Sequence, residues 1–271
     1  MPDFQQITQI PWGRLFVLFF FVYLIFCALA AFYGDKILFP APSPPNCRDD
    51  QVDFHLKTKS GIRIACARRT PTKPNGLVVL YSHGNGEDIG NLGPLLDEVS
   101  EKGIQILAYD YPGYGLSGGE PSEAGCYEAI DAAYEHLTDE LGVEAGRIVV
   151  WGRSLGTGPS CYLASTSEVG GLLLETPFLS AFRTVTEIPV LPWDRFRNMG
   201  RIQDINCPSL VIHGKLDEVI PFRQGRKIHR ELPQPKSFLE IPTASHNDLQ
   251  SKGGRRYESA IDDFFKQLIE G

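Results

Sequence analysis

Apolar residues fall into two patterns along the chain. Leu15 through Phe32 is one uncharged apolar run, bracketed by Arg14 and Asp35 and without a polar face. At about 1.5 Å rise per residue it just crosses a hydrocarbon core of ~30 Å. Trp12, Tyr23 and Tyr33 add aromatic residues, two of them near the expected interfaces. Residues 1–34 therefore read as an N-terminal membrane anchor. The alternative is a cleaved signal peptide, because Ala28-Leu29-Ala30 resembles a small-x-small cleavage site; the product would then be secreted or periplasmic. A basic n-region reduced to Arg14 and the length of the run favour the anchor. Orientation is left open, since Arg14 and Lys36 nearly balance across the span. Residues 35–50 follow, and the proline density of Pro40-Ala41-Pro42-Ser43-Pro44-Pro45 predicts a stiff, extended linker.

From residue 51 onward the apolar runs shorten and alternate with helical periodicity. Gln51–Thr58 and Ile62–Arg68 alternate apolar and polar residues around Ser60-Gly61, which predicts an antiparallel hairpin with one wet face. Leu77–Tyr81, Ile104–Tyr109, Arg147–Trp151, Leu172–Leu174, Leu210–His213 and Ser237–Ile241 read as buried strands. Between them lie helical patterns: one ending at Lys102, one over Ser122–Leu141, and a C-terminal one carrying Ile261, Phe264, Phe265 and Leu268. Strands alternating with helices imply an α/β domain over 51–271, with a mostly parallel sheet covered on both faces. Residues 176–205 form an insertion rich in apolar side chains: Phe178, Leu179, Phe182, Val185, Ile188, Val190, Leu191, Trp193 and Phe196. They either line a lid that suits an acyl chain or pack the lid onto the body.

Composition narrows the function classes. The net charge of −7 argues against nucleic acid as a partner, since no basic stripe is evident to neutralise phosphates. The six cysteines include no Cys-x-x-Cys pair, so a zinc site is not expected and most of them read as small buried hydrophobes.

The candidate chemistry starts at Val149-Val150-Trp151-Gly152-Arg153-Ser154-Leu155-Gly156. A strand running into Gly-x-Ser-x-Gly is the sequence form of a nucleophile elbow, which holds a serine on a tight strand-to-helix bend. Serine is a poor nucleophile at neutral pH and needs a base, which in turn needs an orienting carboxylate. His246, in a polar loop after the last strand, is the predicted base. His55, His136 and His229 fall in regular elements, and His83 and His213 precede glycines and read as structural. Asp217 is the predicted acid, with Glu218 and Asp248 as alternatives, and Ser…Asp…His is the chain order this arrangement takes. For the developing oxyanion, the backbone N–H of Leu155 and that of Asn85, in His83-Gly84-Asn85-Gly86, are the candidate donors. Ser154, Asp217, His246, the Asn85 loop and Asp110 all follow predicted strands, where open α/β sheets form their sites. Such chemistry needs no cofactor or metal.

Taken together, Tyr81-Ser-His-Gly-Asn-Gly86, Tyr109-Asp-Tyr-Pro-Gly-Tyr-Gly-Leu-Ser117, Gly152-Arg-Ser-Leu-Gly156, His213-Gly-Lys-Leu-Asp217 and Ser245-His-Asn-Asp248 resemble the α/β-hydrolase family of serine hydrolases. The resemblance is nearest to the branch of protein-depalmitoylating thioesterases and bud-emergence-type membrane hydrolases. It implies the α/β-hydrolase fold, a lid over Ser154, and cleavage of an ester or thioester in a small-molecule or acylated substrate at a membrane. The depalmitoylating enzymes carry an N-terminal cysteine cluster, whereas this chain has only Cys27 there, so the resemblance extends to esterase chemistry and not to that substrate. Two alternatives stand beside it: an aminopeptidase or amidase using the same triad, and a non-catalytic membrane-anchored binding protein lacking a triad member.

Overall fold

The computed structural model describes residues 12–186 and 190–270, without the side chains of residues 185 and 186. The chain divides into two compact units at Leu38/Phe39. The first holds helix α1 (Trp12–Leu38), the one helix among the described residues long and apolar enough to cross a membrane. Its large side chains, such as Phe16, Phe19 and Phe32, are exposed. The helix continues four residues past the expected boundary at 34.

The second unit is built on one eight-stranded sheet in the order β1-β2-β4-β3-β5-β6-β7-β8. β1 (Phe54–Lys57) and β2 (Arg63–Arg69) form the expected hairpin, and β2 joins β4 (Gln105–Tyr109) antiparallel. The remaining strands β3 (Val78–Ser82), β5 (Ile148–Arg153), β6 (Gly171–Glu175), β7 (Ser209–Gly214) and β8 (Lys236–Ile241) run parallel with β4. The central strands β3, β5, β6 and β7 are buried along nearly their whole length, which is why they read as unbroken apolar runs and not as alternation. Alternation survives only in the edge strand β1.

On one face, α2 (Gly93–Glu101) and α8 (Arg255–Glu270) set Leu96, Val99, Ile261, Phe264 and Phe265 against Val79, Ile106, Val149 and Trp151. Burying each such side chain contributes roughly 1.5–3 kcal/mol. On the other face lie α3 (Glu123–Glu135), α4 (Thr157–Thr166) and α6 (Phe222–Glu231). Ser122 caps α3 by accepting the Gly125 N–H, and the last turns of the predicted 122–141 helix widen into a π turn over His136–Glu140. Two short helices, α5 (Arg183–Thr186) and α7 (Leu249–Gly253), complete the set.

Two expectations change. The linker over 35–50 is not a free spacer, because from Phe39 onward its residues belong to the sheet unit. Phe39 is buried edge-to-face on Phe196 at 6.0 Å, Cys47 enters the core, and the Asn46 N–H donates to Asp88 Oδ2 at 2.7 Å. Extended backbone is what the prolines impose; the apolar residues between them decide where it lies. In the insertion, Phe178 and Phe196 point inward. Phe196 is fully buried among Phe39, Tyr127 and Phe178, and packs so closely on Gly158 that a Cβ there would overlap its ring. These two rings pack the insertion onto the body and are not free to line an acyl pocket. Val190 is exposed, Phe182, Leu191 and Trp193 are half-buried, and Ile188 and the Val185 side chain lie outside the described residues.

Candidate active site

β5 ends at Arg153 and α4 begins at Thr157, leaving three residues for the turn. Ser154 sits there at φ 50, in the left-handed region that non-glycine residues avoid. Holding it costs of order 1–3 kcal/mol, which the surrounding packing must offset. The flanking glycines are required by contact. A Cβ on Gly152 would meet the Gly156 carbonyl oxygen at 2.5 Å, and one on Gly156 would meet that of Ser82 at 2.0 Å.

The loop after β8 brings His246 to this serine. His246 Nε2 lies 3.0 Å from Ser154 Oγ, and its Nδ1 lies 2.9 Å from Asp217 Oδ2. Asp217 is thus the carboxylate on the imidazole. Glu218 is exposed, and Asp248 is engaged in accepting the Ser245 N–H at 2.6 Å, which shapes the histidine loop. The Asp217 carboxylate is held by four donors: Oδ1 accepts the N–H groups of Val219 and Ile220, and Oδ2 receives His246 and His213. Burial would push its pKa up, but the hydrogen bonds from His213 and His246 and from the Ile220 N–H outweigh it and hold the pKa well below the usual carboxylate range.

His213 is the contact the sequence reading missed. Its fully buried Nε2 faces two oxygens, Ile220 O at 3.0 Å and Asp217 Oδ2 at 3.2 Å, so Nε2 carries the proton. The sequence held the signal in the His-Gly-x-x-Asp spacing, which folds the strand end back onto the carboxylate.

Arg153, beside Ser154, fastens the two flanking loops. Its Nη1 donates to Glu87 Oε1 at 2.6 Å and its Nη2 to Asn247 Oδ1 at 3.2 Å, while Glu87 Oε2 accepts the Gly84 N–H at 3.0 Å. The Asn85 loop is held over the serine in this way, with the Gly84 Cβ position 3.8 Å from the Ser154 Cβ. Tyr114 Oη donates to Asn85 Oδ1 at 2.6 Å, which fixes the side chain of that exposed residue. Leu155 is buried in the turn directly after Ser154.

A second histidine–aspartate pair lies beneath this loop. His83 and Asp110 are both fully buried, with Nε2 and Oδ1 3.4 Å apart. Tyr111 Oη donates to the His83 carbonyl at 2.7 Å, and the Tyr111 ring lies 4.3 Å from the imidazole. Asp110 Oδ1 accepts the Ile89 N–H, while its Oδ2 is buried without a hydrogen-bond partner among the described residues. Burial, outweighing the His83 contact, raises the Asp110 pKa. Burial works the other way on His83, where the Asp110 carboxylate and the Gly84 carbonyl prevail and raise its pKa.

No group of three or more His, Cys, Asp or Glu side chains among the described residues could hold a metal ion. The six cysteines are buried and none forms a disulfide bond.

Comparison with known proteins gives this geometry a family. A model of the serine aminopeptidase S33 hydrolases matches residues 72–193. The alpha/beta hydrolase domain-containing protein aho-3 of Caenorhabditis elegans is 36% identical over 208 residues, spanning 76% of this chain and 62% of that protein. Human alpha/beta hydrolase domain-containing protein 17B is 32% identical over 219 residues, 80% of this chain and 75% of that one, and its Xenopus tropicalis counterpart is 33% identical over the same shares. Among solved structures, the Pyrococcus furiosus esterase Pf2001 superposes with a TM-score of 0.68 at 18% identity, over 79% of this chain and 91% of that one. A serine hydrolase homologue from Coxiella burnetii gives 0.63 at 19% identity, over 78% and 95%. With the α/β-hydrolase sheet, the serine turn and relatives above 30% identity over three quarters of their length, the chain belongs to the alpha/beta hydrolase domain-containing proteins and is a hydrolase.

Proposed function

We propose that the chain cleaves carboxylic ester or thioester bonds through an acyl-enzyme on Ser154. The observation that carries this reading is the line of contacts Ser154 Oγ–His246 Nε2–Asp217 at 3.0 and 2.9 Å, with the serine strained outward at φ 50. In the first step His246 Nε2 takes the hydroxyl proton as Ser154 Oγ bonds to the substrate carbonyl carbon. Asp217 keeps Nδ1 protonated and stabilises the imidazolium. The oxyanion is received by the N–H groups of Leu155 and Asn85; removing one such donor typically costs ~3 kcal/mol of barrier. His246 then gives its proton to the departing alkoxide or thiolate, and water, activated by the same imidazole, returns the enzyme. Arg153 and Glu87 act as positioning residues for the two loops.

The apolar helix Trp12–Leu38 supports a reading of the enzyme as anchored at a membrane, acting on acylated or lipid-like substrates there. In this reading Phe182, Leu191 and Trp193 are the insertion residues left to meet an acyl chain. Amide cleavage is the second reading, favoured by the serine aminopeptidase description of the matching family model. A fluorophosphonate probe is expected to label the wild type and not Ser154→Ala; labelling that persists in the variant overturns the assignment. p-Nitrophenyl esters of graded chain length, run beside aminoacyl anilides, separate the two readings.

A further inference from the structure

Helix α6 is amphipathic through charge. Gln224, Gly225 and Ile228 face inward, whereas Arg223, Arg226, Lys227 and Arg230 recur at i, i+3, i+4 and i+7 and share one face. With Lys236 at the start of β8, this face lines an open hollow of about 710 Å³, with Phe238 and Leu179 as its apolar part and no acidic lining residue among the described residues. Residues 221–236 hold five of the 26 Lys and Arg and one of the 33 Asp and Glu. The segment is therefore +4 in a chain of −7, and the rest of the chain is −11. Surfaces kept only for solubility intersperse the two signs.

Like charges three and four apart on a helix repel. Intramolecular contacts relieve only part of this. Arg230 pairs with Glu231 at 2.9 Å, and Lys236 Nζ donates to the carbonyls of Arg230 and Leu232 at 2.6 and 2.5 Å. Among the described residues neither Arg226 nor Lys227 has an ion-pair partner. His229 stands 5.2 Å from the Phe238 ring, and burial together with the Lys236 charge lowers its pKa. The floor is fixed by buried Gln224, which accepts the Leu179 N–H and donates to the Arg183 carbonyl. The hollow is of the size that holds a small ligand, not a duplex.

We infer that this hollow is a binding site for a ligand carrying two or more phosphate groups, such as a phosphorylated lipid headgroup or a free sugar polyphosphate. The guanidinium fork of Arg226 matches phosphate oxygens, Lys227 adds a point charge, Arg223 and Arg230 add positive potential on the same face, and Phe238 offers a face to the carbon skeleton. None of these residues belongs to the serine site, so the inference stands apart from the hydrolase reading.

The test uses the full chain in neutral detergent at 50 mM NaCl. Binding is titrated with inositol 1,4,5-trisphosphate, dioctanoyl phosphatidylinositol 4,5-bisphosphate and, as the neutral control, dioctanoyl phosphatidylcholine. Both phosphorylated probes are expected to bind, at least tenfold more weakly to Arg226→Ala/Lys227→Ala, and to lose most of their affinity at 500 mM NaCl. Similar affinity for the two assigns the site to free phosphate esters, and tenfold tighter binding of the lipid assigns it to a headgroup; both support the inference. An unchanged melting temperature shows that the variant is folded, and Lys227→Gln replaces it if it is not. Absence of binding at 1 mM, equal binding of phosphatidylcholine, or equal affinity of wild type and variant overturns the inference.

Discussion

Two buried histidine–aspartate pairs stand at the same edge of the sheet and differ in what surrounds the carboxylate. Asp217 is met by two backbone N–H groups and two imidazoles, and its pKa is lowered. Asp110 has one backbone N–H, a histidine at 3.4 Å and one oxygen without a hydrogen-bond partner among the described residues, and its pKa is raised. The same two residue types therefore serve opposite ends. A carboxylate saturated with donors stays anionic and can support an imidazolium, while one left half-satisfied in an apolar setting is ionised less readily and acts as an internal brace. Donor count, not residue identity, separates the two carboxylates.

The sharpest break of this comparison is Asp217→Asn. It keeps the shape but removes the charge and tautomer control, and kcat/KM on a p-nitrophenyl ester is expected to fall by roughly 10⁴ with the melting temperature little changed. His83→Phe should show the reverse weighting. It leaves a second Asp110 oxygen short of a partner in the core at a cost of about 1–3 kcal/mol, which lowers the melting temperature by roughly 5 °C in thermal denaturation. His213 sharpens the contrast. His213→Leu removes one donor from Asp217 and should reduce kcat about tenfold to a hundredfold with KM held, while His213→Gln, which keeps an N–H, recovers part of it.

The smallest effect is in the pH dependence of stability. Asp217, with a depressed folded pKa, contributes stability that is present above its unfolded value near ~3.9 and is lost as pH falls through the folded one. Asp110 and His83, both raised, contribute in the opposite sense: their stability is present below the unfolded values and is lost as pH rises through the folded ones. Denaturant melts across pH 3–8 should show Asp217→Asn flattening the acid limb and Asp110→Asn flattening the loss that sets in as pH rises above the unfolded value near ~3.9.

Most of the sheet was legible because a strand buried on both faces writes itself as a local apolar run, as Val149–Trp151 and Leu172–Leu174 do. Ser154, His246 and Asp217 were legible because each follows such a run. His213, Arg153 and Glu87 were not, since their partners lie in other parts of the fold: Arg153 meets Glu87 and Asn247, 66 and 94 residues away. The linker was misread for a similar reason. Proline spacing describes backbone stiffness, while the burial of Phe39 depends on Phe196, far along the chain.

That burial has a practical consequence for excising the sheet unit from the apolar helix. A truncation at Gln51, just before the first strand, would strip the cover from Phe196 and leave the Asp88 carboxylate without the Asn46 N–H. A polypeptide starting at Phe39 keeps both contacts, so the twelve inconspicuous residues 39–50 are expected to decide whether the excised sheet unit stays folded, as its melting temperature would report.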